Sequence, residues 1–229
     1  MSEEASVAIR VWDLPVRLVH WLIASLFVAQ IVTGKLGGAL MTWHAWIGYT
    51  ILTLVLFRIL WGFAGGVHAR FASFMAGPAA AWRFASLLFS RRPSPYIGHN
   101  PLGGWSAVAM IALLAAQAIA GLFANDGLAF EGPLAKLVSI DVSNRFARFH
   151  DWNAIALFIL AGLHVAAVLF HWLVKKEDLV GAMFTGMKSV PDAMAQGASQ
   201  NGASHHWRAI AVLAIAAAAV AVLVYGVPR

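Results

Sequence analysis

No cysteine occurs anywhere in the 229 residues. That absence excludes structural disulfides, iron–sulfur clusters, thiolate copper sites and thioether-linked haem within the chain. Charge is scarce as well. Only 11% of the residues are Asp, Glu, Lys or Arg, less than half the roughly 25% of a soluble domain. Acidic residues are the scarcer sign: 10 against 16 basic ones, a formal net charge of +6. The basic residues flank apolar runs instead of forming one patch, which argues against nucleic-acid binding. The start, MSEEASVAIRVWDLPVR, puts acidic residues first and has no small-residue cleavage site after a short apolar core. It does not read as a signal peptide, so the first apolar run is expected to stay as an anchor.

What is abundant is apolar: 61% of the chain is hydrophobic and the mean hydropathy is +0.75. A helical span needs about 20 mostly apolar residues. Five stretches qualify, at residues 16–34, 43–63, 102–124, 149–174 and 207–226. Asp13 is a plausible N-cap for the first, with Pro15 in its first turn. The fold class expected is an all-α integral membrane protein. It consists of a four-helix transmembrane bundle and a fifth, C-terminal transmembrane helix. The divisions expected are residues 1–188 for the four-helix unit, 189–206 for a polar linker and 207–229 for the added helix. Residues 78–92 read as an amphipathic helix on the membrane surface, with a re-entrant segment as the alternative. Residues 125–148 read as an outer loop.

Orientation follows the Lys/Arg bias of the loops. Arg10, Arg17, Arg70, Arg83, Arg91, Arg92, Lys175, Lys176, Lys188 and Arg208 fall on one side. Lys35, Lys136, Arg145, Arg148 and Arg229 fall on the other. The first side is expected to be cytoplasmic, with the N-terminus inside and the C-terminus outside.

Nine histidines are present, and ionisable side chains within spans are costly and tend to be functional. His44 and His150 fall at the outer ends of the second and fourth spans. His20 lies near the cytoplasmic end of the first. His164 follows His150 by 14 residues, close to four helical turns, so the two share a face about 21 Å apart in depth. Two pairs result, His44 with His150 and His20 with His164. Neutral imidazole suits haem iron, and a bis-His pair leaves no open position, which favours electron transfer over oxygen binding. The competing reading is a set of interfacial or packing histidines. Zinc is a weaker rival, since no cysteine or nearby carboxylate completes a set. His171, two turns beyond His164, is an alternative fourth ligand, although its closeness to Lys175 and Lys176 reads as interfacial. His68 and His99 read as solvated loop residues, with proton relay to a quinone as the alternative. Arg17, Arg58, Arg145 and Arg148 lie near the two levels, as propionate partners or as interfacial anchors. Gly48, Gly121 and Gly162 admit either a porphyrin face or close helix packing.

Five segments carry a family resemblance: VWDLPVRLVHW (11–21), WHAWIGYTILTLVLFRILWG (43–62), GHNPLGG (98–104), FHDWNA (149–154) and GLHVAAVLFHWLVKKEDLVGAMFTGMK (162–188). In this order and spacing they resemble the bacterial cytochrome b561 and Ni,Fe-hydrogenase cytochrome b family. The resemblance implies a four-helix core with two b haems, and carries the axial-ligand roles onto His20, His44, His150 and His164. It also implies electron transfer between quinone and a periplasmic dehydrogenase, hydrogenase or c-type cytochrome. A related branch resembles a superoxide:quinone oxidoreductase, whose outer face would need a basic funnel. Lys35, Lys136, Arg145 and Arg148 are candidates for that, diluted by Asp126, Glu131, Asp141 and Asp151. A non-redox scaffold or transporter is the third possibility, although no paired broken helices or repeats are visible. The fifth span and its linker depart from the minimal family pattern.

Overall fold

The computed structural model describes residues 6–86, 96–127, 130–195 and 206–226. Five helices are long and apolar enough to cross a membrane. They are α1 (Leu14–Leu36), α2 (Met41–Ala64), α5 (Pro101–Phe123), α6 (Ile140–Leu173) and α9 (His206–Tyr225). Between them lie the short helices α3 (Phe71–Phe74), α4 (Pro78–Ser86), α7 (Leu179–Thr185) and α8 (Asp192–Ala195). A two-stranded ribbon of β1 (Ser6–Arg10) and β2 (Met187–Pro191) and three single turns of 3-10 helix at Gly38–Leu40, Val67–Ala69 and Ala135–Leu137 complete the described elements.

The five expected spans are all present, and the local reasons are visible at their ends. Asp13 caps α1 by accepting from the Val16 amide at 2.9 Å, with Pro15 in the first turn, where its missing N–H costs nothing. The same carboxylate accepts from Trp61 Nε1 at 3.0 Å and the Gly66 amide at 3.3 Å. One buried side chain thus ties the start of α1 to the end of α2. Asn100 caps α5 through the Gly103 amide at 2.7 Å.

One boundary differs from expectation. The fourth span begins at Ile140, not at 149, so residues 140–148 are helix and not loop. Ser139 is its N-cap and Asp141 sits in its first turn, where a carboxylate favours the helix dipole. These polar residues end the apolar run without ending the helix. At 34 residues α6 is about 51 Å long, well beyond the roughly 30 Å hydrocarbon layer.

The stretch expected to be surface-helical is α4 over Pro78–Ser86, with Phe84 buried and Trp82 exposed; residues 87–92 lie outside the described part. The expected linker starts differently. Residues 189–191 belong to β2, which pairs antiparallel with β1 from Ser6↔Pro191 to Arg10↔Met187. Residues 192–195 form α8, and 196–205 lie outside the described part. Ile9, Val11 and Val190 are buried under the ribbon, with Trp12, Ile97 and Met194 packed against them.

The long helices pack as neighbours in the order α1, α2, α5, α6, with α9 lying on α2. Ala216 and Val220 of α9 are buried there, and Tyr225 meets Trp46 of α2 with ring centres 6.3 Å apart. Helix α6 has no comparable packing against α1 or α2. Phe27 and Phe158 meet across that gap at 5.9 Å. The histidines face one another above and below this aromatic contact.

Candidate functional site

The α2 and α6 helices present His44 and His150 to each other, ring centres 6.2 Å apart. The α1 and α6 helices present His20 and His164, ring centres 6.4 Å apart. Both rings of α6 lie on one face because 14 residues make nearly four turns. The depth-matched pairs of the sequence therefore meet in space, at nearly equal separations. Two imidazole nitrogens on opposite sides of one metal ion, each at about 2 Å, put their ring centres roughly 6 Å apart.

The donor set fits a bis-imidazole haem on further grounds. His150 Nδ1 lies 2.9 Å from the Gln117 carbonyl oxygen. A carbonyl only accepts, so Nδ1 carries the proton and Nε2 keeps its lone pair for a metal. His44 Nδ1 lies 3.3 Å from Thr33 Oγ1, whose own proton goes to the Ala29 carbonyl at 2.8 Å. Glycines make room for both rings. A Cβ on Gly34 would stand 3.0 Å from His44 Cε1, and one on Gly121 would stand 3.3 Å from His150 Cε1. Gly121, expected to face a porphyrin or a helix, thus faces an imidazole. Gly48 faces Gln30, and Gly162 faces open space.

The other level holds buried polar atoms without partners. His20 Nδ1, His99 Nδ1 and Arg58 Nη1 are all enclosed and unbonded among the described residues. Arg58 sits 14 residues after His44 on α2, about 21 Å along the helix and so level with the second pair. Its guanidinium lies over the Phe71 ring, 5.3 Å from the centre. A buried cation with a free donor suits an anionic group such as a propionate.

The other predicted arginines are placed differently. Arg17 donates to the carbonyls of Met183 and Phe184, closing the end of α7. Arg148 and Arg145 are exposed on α6, and the structure brings neither to a histidine pair.

His171, read from the sequence as interfacial, is buried in the fold. Its Nδ1 pairs with Glu177 Oε2 at 3.2 Å, while His164 is the ring that meets His20. His99 is also not a solvated loop residue. Trp12 and Phe74 sandwich it at 4.8 and 4.6 Å. Burial, then the charge of Arg58, pushes its pKa down to about 3, so it is neutral at ordinary pH. With His68, Ser73, Phe74, Tyr96, Ile97 and Gly98 it lines a cleft of about 220 Å³.

Thr33, Gly34, Gln117 and Asn153 were not singled out in the sequence. A polar residue inside an apolar run was the available signal for three of them.

The family profile described as prokaryotic cytochrome b561 matches residues 11–186. The chain is similar to the probable Ni/Fe-hydrogenase B-type cytochrome subunit of Azotobacter vinelandii, 27% identical over 218 residues, covering 81% of this chain and 90% of the relative. The protein of the same description from Cupriavidus necator is 26% identical over 227 residues, covering 83% and 91%. That from Bradyrhizobium diazoefficiens is 23% identical over 215 residues, covering 80% and 86%. No solved structure matches. With most of its length matched and five apolar helices in its fold, this chain belongs to the prokaryotic cytochrome b561 family, multi-pass membrane proteins of haem-b electron transfer.

Proposed function

We propose that this protein carries two b haems, one held by His44 and His150 and one by His20 and His164, and conducts electrons between an outer-face redox partner and quinone. The observation that carries this is the recurrence of one geometry at two depths: imidazoles from facing helices, 6.2 and 6.4 Å between ring centres. A bis-imidazole b haem, when bound, supplies reversible one-electron exchange with no open position for oxygen. The chain supplies ligands, an apolar surround and an anion partner in Arg58 at the inner pair. Arg17 and Arg148, also expected near the haems, are second-rank candidates, because the first is engaged by backbone carbonyls and the second is exposed.

The Lys/Arg bias supports a cytoplasmic N-terminus, which makes the His44/His150 pair the outer, periplasmic one. The relatives are described as hydrogenase cytochrome subunits. A hydrogenase-like enzyme is accordingly the favoured periplasmic partner, ahead of a dehydrogenase or c-type cytochrome. A bacterial inner membrane is the matching location. Residues 1–188 form the haem-binding unit, and α9 is an added anchor outside the matched range.

Quinone reduction consumes two electrons and two protons per molecule. The cleft beside the inner pair offers an aromatic wall in Phe74 and Tyr96 and polar groups in His68, Ser73 and His99. His99 lines this cleft, and its Nδ1 is unbonded among the described residues.

The deciding experiment is a haem-to-protein ratio with reduced-minus-oxidised spectra on detergent-purified protein. Two low-spin b haems per chain are expected. One haem would remove one of the pairs, and none would return the histidines to helix packing. Reduced protein is expected to be reoxidised by a short-chain quinone; failure to do so would sink the quinone link alone.

A further inference from the structure

The two pairs are seated differently, and the difference lies in groups that never touch a metal. Each outer histidine occupies a notch made by a glycine beside an oxygen acceptor. On α5, Gln117 and Gly121 are one turn apart. The missing side chain at Gly121 lets the His150 ring reach the Gln117 carbonyl, 2.9 Å from Nδ1. On α1, Gly34 adjoins Thr33, whose Oγ1 lies 3.3 Å from His44 Nδ1. Asn153, one turn beyond His150, is buried and donates to Gln117 Oε1 at 2.7 Å and the Leu113 carbonyl at 2.9 Å. In an apolar span such a polar clamp holds α5 and α6 in one register, because slipping would strand its groups unbonded. The inner pair has no such seat. His20 Nδ1 is enclosed without a partner among the described residues, and the contact found for the His164 ring is His20 itself.

An imidazole that donates its second N–H to an oxygen becomes a more basic ligand through its other nitrogen. We propose that the outer pair is built as the more electron-donating ligand set, with Thr33, Gln117 and Asn153 as its positioning residues, and the inner pair as the less donating one. More basic ligands favour the oxidised metal, so the outer site is the harder to reduce. Arg58, a cation at the inner level, pushes the inner site the opposite way, with Asp13 offsetting part of that charge.

This inference rests on the reading of both pairs as haem ligands, and the haem-to-protein ratio tests that reading first and separately. The full-length, haem-loaded protein is then titrated with reductant while the haem bands are followed. Two waves are expected, with the lower-potential one missing in His150→Ala. Thr33→Val and Asn153→Leu are each expected to raise that wave and leave the other in place. Thr33→Ser, which restores the hydroxyl, is expected to bring it back. Asn153→Leu changes a buried group and has a structural risk; Thr33→Val, nearly the same in shape, decides if the first loses haem. The proposal is overturned if the lower wave disappears in His20→Ala instead, if the waves coincide, or if Thr33→Val moves neither.

Discussion

The His44/His150 end and the His20/His164 end solve one problem, presenting two imidazoles across a gap, by different means. At the first, the rings are fixed from behind by Gln117, Thr33 and two glycines, and polar atoms there are mostly satisfied. At the second, four buried polar atoms, on His20, Trp21, Arg58 and His99, are unbonded among the described residues, and the order is imposed from outside the pair. Asp13 binds α1 to α2, the ribbon pins the chain before α1 to the chain after α7, and Trp12 and Phe74 enclose His99. The comparison teaches that equal ring spacing does not imply equal sites. One end is preorganised by hydrogen bonds, the other keeps groups unpaired among the described residues.

The strongest way to break the comparison is to delete ligands. His44→Ala or His150→Ala is expected to remove the outer haem and leave the inner, halving the haem-to-protein ratio. His20→Ala or His164→Ala should remove the inner one. If variants from different pairs erase the same spectral component, the pairing is wrong.

A smaller effect is expected from crowding the notch. Gly34→Ala places a methyl 3.0 Å from the His44 ring, tighter than ordinary packing allows. Haem occupancy at the outer site should fall several-fold while the inner band keeps its intensity, as read from spectra at fixed protein concentration.

His171 sharpens the contrast from the other side. His171→Ala should leave two haems per chain, because its partner is Glu177 and not iron. Breaking that buried pair is expected to cost about 1–3 kcal/mol of stability, seen as a lower unfolding midpoint in detergent. Loss of the inner haem in this variant would reinstate His171 as a ligand.

The smallest effect is a pH slope. His99 is neutral in the folded protein down to about pH 3, against an ordinary value of 6.5. Between these values the unfolded chain binds the extra proton, so the histidine's contribution to stability is full above 6.5 and is lost as the pH falls through that window. His99→Gln is expected to flatten the slope of the unfolding midpoint over this range; an unchanged slope would assign it to other groups.

Much of this was legible in the sequence. Apolar length gave the five spans, Asp13 and Pro15 marked the first start, and the 14-residue spacing of His150 and His164 dictated a shared face. The start of α6 was not legible, because its first turns project beyond the apolar run and look like a polar loop. Nor was the ribbon, because SVAIR and MKSVP are short and lie at opposite ends of the four-helix unit. The seats of His44 and His150 were hidden for another reason. Gln117 meets the His150 ring through its backbone carbonyl, which no side-chain pattern reveals, and Gly34 matters only because α2 brings a ring against it. Sequence spacing reports what one helix presents, whereas these contacts depend on how two helices meet.

The pairing of Ser6–Arg10 with Met187–Pro191 also has a place in time. A ribosome adds about 5–20 residues per second, so β1 waits roughly ten seconds or longer for its partner strand. All four candidate ligands, His164 being the last, are made before β2. The clasp therefore closes after the ligand set is complete. Until then the chain around Trp12 and Ile97, beside the inner pair, lacks its cover. The ribbon thus closes late over the His20/His164 end of the bundle, after the residues of both pairs have been made.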